Sequence, residues 1–172
     1  MKRTQIDIDA YAGDIMKALK KGVLLTTKSG DKVNSMTIEW GHLGRIWNIP
    51  VFIVYVRDSR YTKVMLEENP EFTVNMPAGD YDKKIIGICG SKSGRDCDKL
   101  KEAGLTPVEG VNISVPGLKE LPLTLECRVI YKEEQDSSKL SGEIRNRFYR
   151  IEKGDHTAYY GEIVGAYIVE DE

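Results

Sequence analysis

The run Val51-Phe52-Ile53-Val54-Tyr55-Val56 constrains this chain most. It is β-branched and aromatic almost throughout, so it predicts a buried strand. Such a strand needs neighbours, and the sequence offers them. Val23 to Thr27 and Val33 to Trp40 flank the turn Ser29-Gly30-Asp31 and read as a pair. Phe72 to Met76 and Tyr160 to Val169 read as further strands, and Leu123 to Tyr131 alternates as a half-exposed strand does. Short helices interrupt them. Asp14 to Lys21 can place Ile15, Met16 and Leu19 on one face before Gly22 stops it. Arg60 to Glu68 could be capped by Ser59 and ended by Asn69-Pro70. Asp96 to Ala103 ends at Gly104. Gly41 to Asn48, with two glycines, reads as a loop. Asp80 to Cys89 fits helix or strand, and Ser138 to Tyr149 fits helix or loop. The order predicts a mainly β fold with short helices, antiparallel and most simply a small barrel, in one domain over residues 1–172.

Charge narrows the function. The 25 basic and 27 acidic side chains leave a net charge of -2, which argues against a nucleic-acid binder but not against a local basic pocket. No apolar run approaches the roughly 20 residues of a membrane span, and no apolar stretch follows the basic start Met1-Lys2-Arg3. Cys89, Cys97 and Cys127 form no CxxC pair and are expected to be free thiols of a reducing, cytoplasmic compartment. His42 and His156 stand at no ligand spacing from a cysteine, so no metal site is expected. His156 falls in the polar turn Gly154-Asp155-His156-Thr157 and reads as a surface residue rather than a catalyst. No nucleophile–histidine arrangement stands out, which suits a cofactor that carries the chemistry itself.

Three segments could hold a ligand. Arg57-Asp58-Ser59-Arg60-Tyr61-Thr62 lies where the buried strand meets a helix start. Guanidinium forks, hydroxyls and free N–H groups are what a phosphate wants, although a solvated, serine-capped helix start reads the same way. Gly90-Ser91-Lys92-Ser93-Gly94-Arg95-Asp96 resembles an anion loop leading into a helix but lacks the order of a P-loop, and a flexible polar turn is the alternative. In Asn34-Ser35-Met36-Thr37-Ile38-Glu39-Trp40, a strand would set Asn34, Met36, Ile38 and Trp40 on one side and Ser35, Thr37 and Glu39 on the other. That mixture suits the edge of a polar heterocycle, or a half-exposed strand with no ligand.

At these segments the chain resembles the flavin reductase-like family, in particular its flavoredoxin-like branch. The resemblance rests on Asn34-Ser35-Met36-Thr37 with Trp40-Gly41, Val56 to Thr62 after Pro50, Phe72 to Pro77, Cys89 to Asp96 with Lys99, and Tyr160-Gly161-Glu162-Ile163. It implies an FMN-binding split barrel and a homodimer with FMN near the interface. It further implies that Asn34, Ser35, Met36 and Thr37, with Trp40 nearby, meet the ring or ribityl chain. Arg57, Ser59, Arg60, Tyr61 and Thr62 would lie near the phosphate, and Ser91, Lys92, Ser93 and Arg95 would complete the phosphate and ring-edge contacts. The implied activity is NAD(P)H-dependent flavin reduction. The alternatives are a flavoredoxin-type carrier fed by a protein electron donor, or a split-barrel interaction module without cofactor.

Overall fold

The structure is a computed structural model that describes residues 1–149 and 154–170. Its chain order is β1 (Lys2–Gln5), α1 (Ile8–Leu19), β2 (Val23–Ser29), β3 (Lys32–Ile38), β4 (Gly41–Ile46), β5 (Ile49–Arg57), α2 (Tyr61–Glu68) and β6 (Glu71–Met76). There follow α3 (Lys84–Ser91), α4 (Lys99–Ala103), the short pair β7 (Pro107–Val108) and β8 (Gly117–Leu118), β9 (Leu123–Glu134), α5 (Gly142–Phe148) and β10 (His156–Glu170).

The main sheet runs β3-β2-β6-β9-β10-β5-β4, antiparallel throughout, and β1 pairs with the far half of β10. The end strands β3 and β4 do not pair with each other, so the sheet curls into a split barrel. β10 makes the curl possible. Its first half pairs with β5, its whole length follows β9, and register shifts at Tyr160/Gly161 and Ile163/Gly165 bend it. Gly161 is required there, because a Cβ would stand 2.4 Å from Cζ of Phe72.

Inside lie Leu25, Phe52, Val54, Phe72, Val74, Leu125 and Tyr159, and α1 packs Ile15 and Leu19 against them. Each large apolar side chain so buried contributes roughly 1.5–3 kcal/mol. β2 is buried on both faces, because Leu24 points outward into a second cluster with Ile85 and Cys89 of α3 and Leu100 of α4. The expected alternation in β9 is not kept, since beyond Cys127 only Val129 is half-buried and the rest is exposed. Before Cys127 both faces are buried, and the carboxylate of Glu126 lies fully inside. It accepts from the backbone N–H groups of Val111 (2.6 Å) and Asn112 (2.9 Å) and from the Tyr167 hydroxyl (2.8 Å).

Three expectations need correction. Residues 41–46 form a strand, not a loop, joined to β5 by a hairpin whose two turn residues, Trp47 and Asn48, take φ of 52° and 59°. Gly41 breaks no structure. It leaves room for Phe52, whose ring carbon would lie 2.9 Å from a Cβ. The first helix begins at Ile8, earlier than expected, because the Asp7 carboxylate caps it by accepting from the Asp9 N–H (3.1 Å). The loop after Cys89 is shifted rather than absent, and it leads into its helix later than Asp96. Ser91 is the last residue of α3, and the next helix starts only at Lys99, capped by Asp98.

Candidate functional site

Edge strand β3 is overlaid from one side by the start of α2 and from the other by the α3–α4 loop. The gap left between them is a cleft of about 230 Å³. It is lined by Asn34, Met36 and Thr37 of β3, by Ser59, Arg60, Tyr61 and Thr62, by Cys89 to Arg95, and by Lys99. Of the predicted residues only Ser35, Trp40 and Arg57 are missing from this lining, and Cys89, Gly90, Gly94 and Lys99 are added to them. A second hollow of about 290 Å³ continues from it, shares Met36, Thr37, Arg60 and Gly90, and adds Ile38, Glu39, Trp40, Tyr55, Arg57 and His156.

The first hollow is cationic. Arg60, Lys92, Arg95 and Lys99 line it, and no carboxylate does. Ser59 does not cap α2. The N-cap is Arg60, in extended conformation, and no side chain satisfies the helix's first N–H groups. That leaves the positive end of α2 facing the cleft. Arg95 donates to the Ser59 carbonyl (3.1 Å) and stacks 5.3 Å from the Tyr61 ring. Lys92 pairs with Glu102. Lys99 is 5% exposed and donates to the Cys89 carbonyl at the end of α3 (3.0 Å). Burial pulls its ammonium below the usual lysine range, and the charge of Arg60 acts the same way. Lys99 was quoted above for the resemblance but given no role. A lysine just after a helix cap looks solvated in sequence, and only the tertiary packing buries it.

Asn34 is 2% exposed, and its Nδ2 donates to the Thr62 hydroxyl (3.3 Å), while its Oδ1 is buried without a hydrogen-bond partner. An unpaired buried acceptor at the cleft wall suits a ligand donor. Thr37 is partly committed, since its hydroxyl donates to the Ile86 carbonyl (2.6 Å). Ser35 is not brought to the cleft. Its hydroxyl faces the other side of β3 and shares a hydrogen with Thr26 (2.8 Å), in a buried network continued by Asn75. The strand's period of two sends it there.

The second hollow is aromatic. Trp40 is 40% exposed and lies edge-on to Phe148 and near the His156 ring, with centroids 5.4 and 5.3 Å apart. His156 is not a surface turn residue. It opens β10, is 7% exposed, and its Nδ1 is buried without a partner. Burial, aided by the nearby charge of Arg57, lowers its pKa to about 4, so it is neutral at pH 7. Arg57 also departs from expectation. Its guanidinium donates to the carbonyls of Gly154 (2.8 Å) and Phe148 (3.0 Å) and stacks on Tyr149, away from the cationic cluster. Cys89 is buried and its thiol is pushed up to about 11 by burial, which makes it a packing residue. No helix among the described residues is long and apolar enough to cross a membrane.

Residues 16–172 match the family described as "Flavin reductase like domain". An uncharacterized protein of Archaeoglobus fulgidus is 32% identical over 134 residues, which are 78% of this chain and 64% of that protein, so this chain spans less than two thirds of its length. The solved structure of flavoredoxin from Desulfovibrio vulgaris (Miyazaki F) superposes with a TM-score of 0.68 at 26% identity, over 87% of this chain and 69% of that one. Flavoredoxin from Methanosarcina acetivorans gives 0.66 at 28% identity, over 87% and 68% of the two chains.

Proposed function

The chain belongs to the flavin reductase-like domain family, in its flavoredoxin-like branch, and from that premise we propose that it is a flavoprotein that holds FMN without a covalent bond and passes electrons through it. The observation that carries this reading is the two-ended cleft: a cationic end free of carboxylates, joined through Met36 and Thr37 to an open aromatic end.

The residues present fit such a cofactor. Arg60, Arg95 and Lys99, the hydroxyls of Thr62, Ser91 and Ser93, and the uncapped start of α2 would hold a terminal phosphate. The orphaned Asn34 Oδ1 would accept from a ligand hydroxyl or N–H group. Met36 and Trp40 would lie against the flat ring. When bound, FMN supplies hydride acceptance and one-electron exchange. His156, neutral at pH 7, adds no charge at the ring end, where the charged side chains are Arg57, Arg60 and Glu39.

Hydride donation from NAD(P)H is the activity proposed first, because the ring end is open to solvent beside Trp40. A protein electron donor is the second reading, favoured by the likeness to the two flavoredoxins. We place the protein in the cytoplasm as a homodimer. The second copy would cover the exposed aromatic face of Trp47 (57% exposed) and Tyr131 (44%).

Acid release from the purified yellow protein, followed by chromatography, should give FMN. FAD alone, or no flavin after reconstitution, would contradict the proposal. Anaerobic reduction by NADH, NADPH and a reduced iron–sulfur protein, compared side by side, separates the two donors. Light scattering should give about twice the chain mass of 19.4 kDa. A monomer that holds FMN tightly would remove the need for a second copy.

A further inference from the structure

We propose that Lys32, Gly94 and Arg95 close the phosphate end of the cleft as a strap that admits one terminal phosphate and turns away a diphosphate. The inference rests on the flavin reading above and names what selects within it.

The α3–α4 loop does not lie loosely over the cleft. Lys32, the first residue of β3, donates to the Gly94 carbonyl (2.7 Å). One residue on, Arg95 reaches to the Ser59 carbonyl before α2 (3.1 Å). Both cations sit on the Tyr61 ring, Lys32 at 4.6 Å and Arg95 at 5.3 Å. The loop is therefore tied to β3 at one residue and to the α2 junction at the next, and Tyr61 is held between the ties.

Gly94 shows how tightly the end is shut. A Cβ there would stand 2.1 Å from Asn34 Oδ1 and 3.1 Å from Tyr61 Cδ1. Backbone passes so close to the cleft floor that no side chain fits between. Beyond the strap lies a groove of about 450 Å³ that shares Asn34, Gly94, Arg95 and Lys99 with the cleft. Its own lining carries Asp31, Asp96 and Asp98. That groove is also lined by Lys32, Arg95 and Lys99, so its charges balance, and it is the strap that a second phosphate extending from the first would have to displace.

The test is titration of apo protein with FMN and with FAD, in wild type, Lys32→Met, Gly94→Ala and Asp31→Asn/Asp96→Asn. Wild type should prefer FMN by more than about a hundredfold. Lys32→Met removes one tie and should narrow that ratio by about tenfold, mainly by improving FAD, while FMN changes by less than about threefold. Gly94→Ala pushes the loop off Asn34 and should narrow the ratio at least as much. The double Asp→Asn change leaves both ties intact and should keep the ratio within about threefold of wild type. Equal affinity for FMN and FAD in wild type would overturn the strap and leave the flavin reading standing. So would a wild-type ratio in folded Lys32→Met, whatever becomes of Gly94→Ala. Binding of neither flavin would overturn both.

Discussion

The two ends of the cleft are built on opposite terms. At the cationic end the pieces are already in place: Lys99 is anchored on the Cys89 carbonyl, Arg95 on the Ser59 carbonyl, and the loop is laced to β3. At the aromatic end the pieces are half-made. Trp40 is 40% exposed, and the buried Nδ1 of His156 has no partner. Arg57 spends its donors on the carbonyls of Gly154 and Phe148. Preorganised donors convert directly into affinity, since little ordering remains to be done on binding. An unfinished aromatic surface is where a second molecule, a donor or a second protomer, can still be accommodated. The contrast suggests that the cationic end sets affinity and the aromatic end sets what exchanges electrons.

That contrast can be broken most forcefully at Arg60, which lines both hollows and whose side chain, among the described residues, is not tied to another side chain or carbonyl as those of Lys63 and Arg95 are. Arg60→Ala should weaken FMN by roughly ten- to a hundredfold, the value of one charge-assisted hydrogen bond. Lys63→Ala should change it by less than about threefold. Lys63 is already held by Asp58 (2.6 Å) and by the Thr157 hydroxyl (3.0 Å). Isothermal titration of both variants decides, and equal weakening contradicts the assignment.

The aromatic end predicts a pH effect of its own. His156 has its folded pKa depressed to about 4 from the ordinary value, so the unfolded chain takes up its proton first. Its contribution is therefore present above about pH 6.5 and is lost as pH falls from there towards 4. The loss is on the order of 2–3 kcal/mol for a group this buried. Urea unfolding at pH 7.5 and 4.5 should show wild type losing more stability than His156→Gln by about that amount. Parallel losses would mean that the imidazole is not desolvated.

The smallest effect is expected at Arg57. With its guanidinium committed to the Phe148 and Gly154 carbonyls rather than to a phosphate, Arg57→Ala should alter FMN affinity by less than about threefold. Amide exchange in α5 should accelerate instead. A loss as large as that of Arg60→Ala would move Arg57 back to the phosphate.

Much of this was legible in the sequence, for local reasons. β5, β6 and α2 are written in β-branched runs and breakers, and the structure keeps them within a residue or two. The three chemistry-bearing segments converge on one cleft, as phosphate-suited donors around an edge strand would. What was not legible depends on partners distant in sequence. β4 is a strand because β5 lies beside it, although Gly41, His42 and Gly44 look like a loop. Ser35 is lost to the site because Thr26 faces it across the β2–β3 ladder. Lys99 enters the site because the start of α4 packs against α3, where its ammonium meets the Cys89 carbonyl. His156 is buried by Trp40 and Tyr149, which lie far from it in the chain or on the excursion before β10.

The most direct test of the account compares FMN with riboflavin, which differ only by the phosphate, in titrations of the same apo protein at fixed ionic strength. If the preorganised cationic end sets the affinity, FMN should bind at least about a hundredfold more tightly, the work of two or more charge-assisted bonds, and the gap should shrink in salt. Equal binding of the two flavins would mean that the cationic end holds no phosphate, and the central claim would fall.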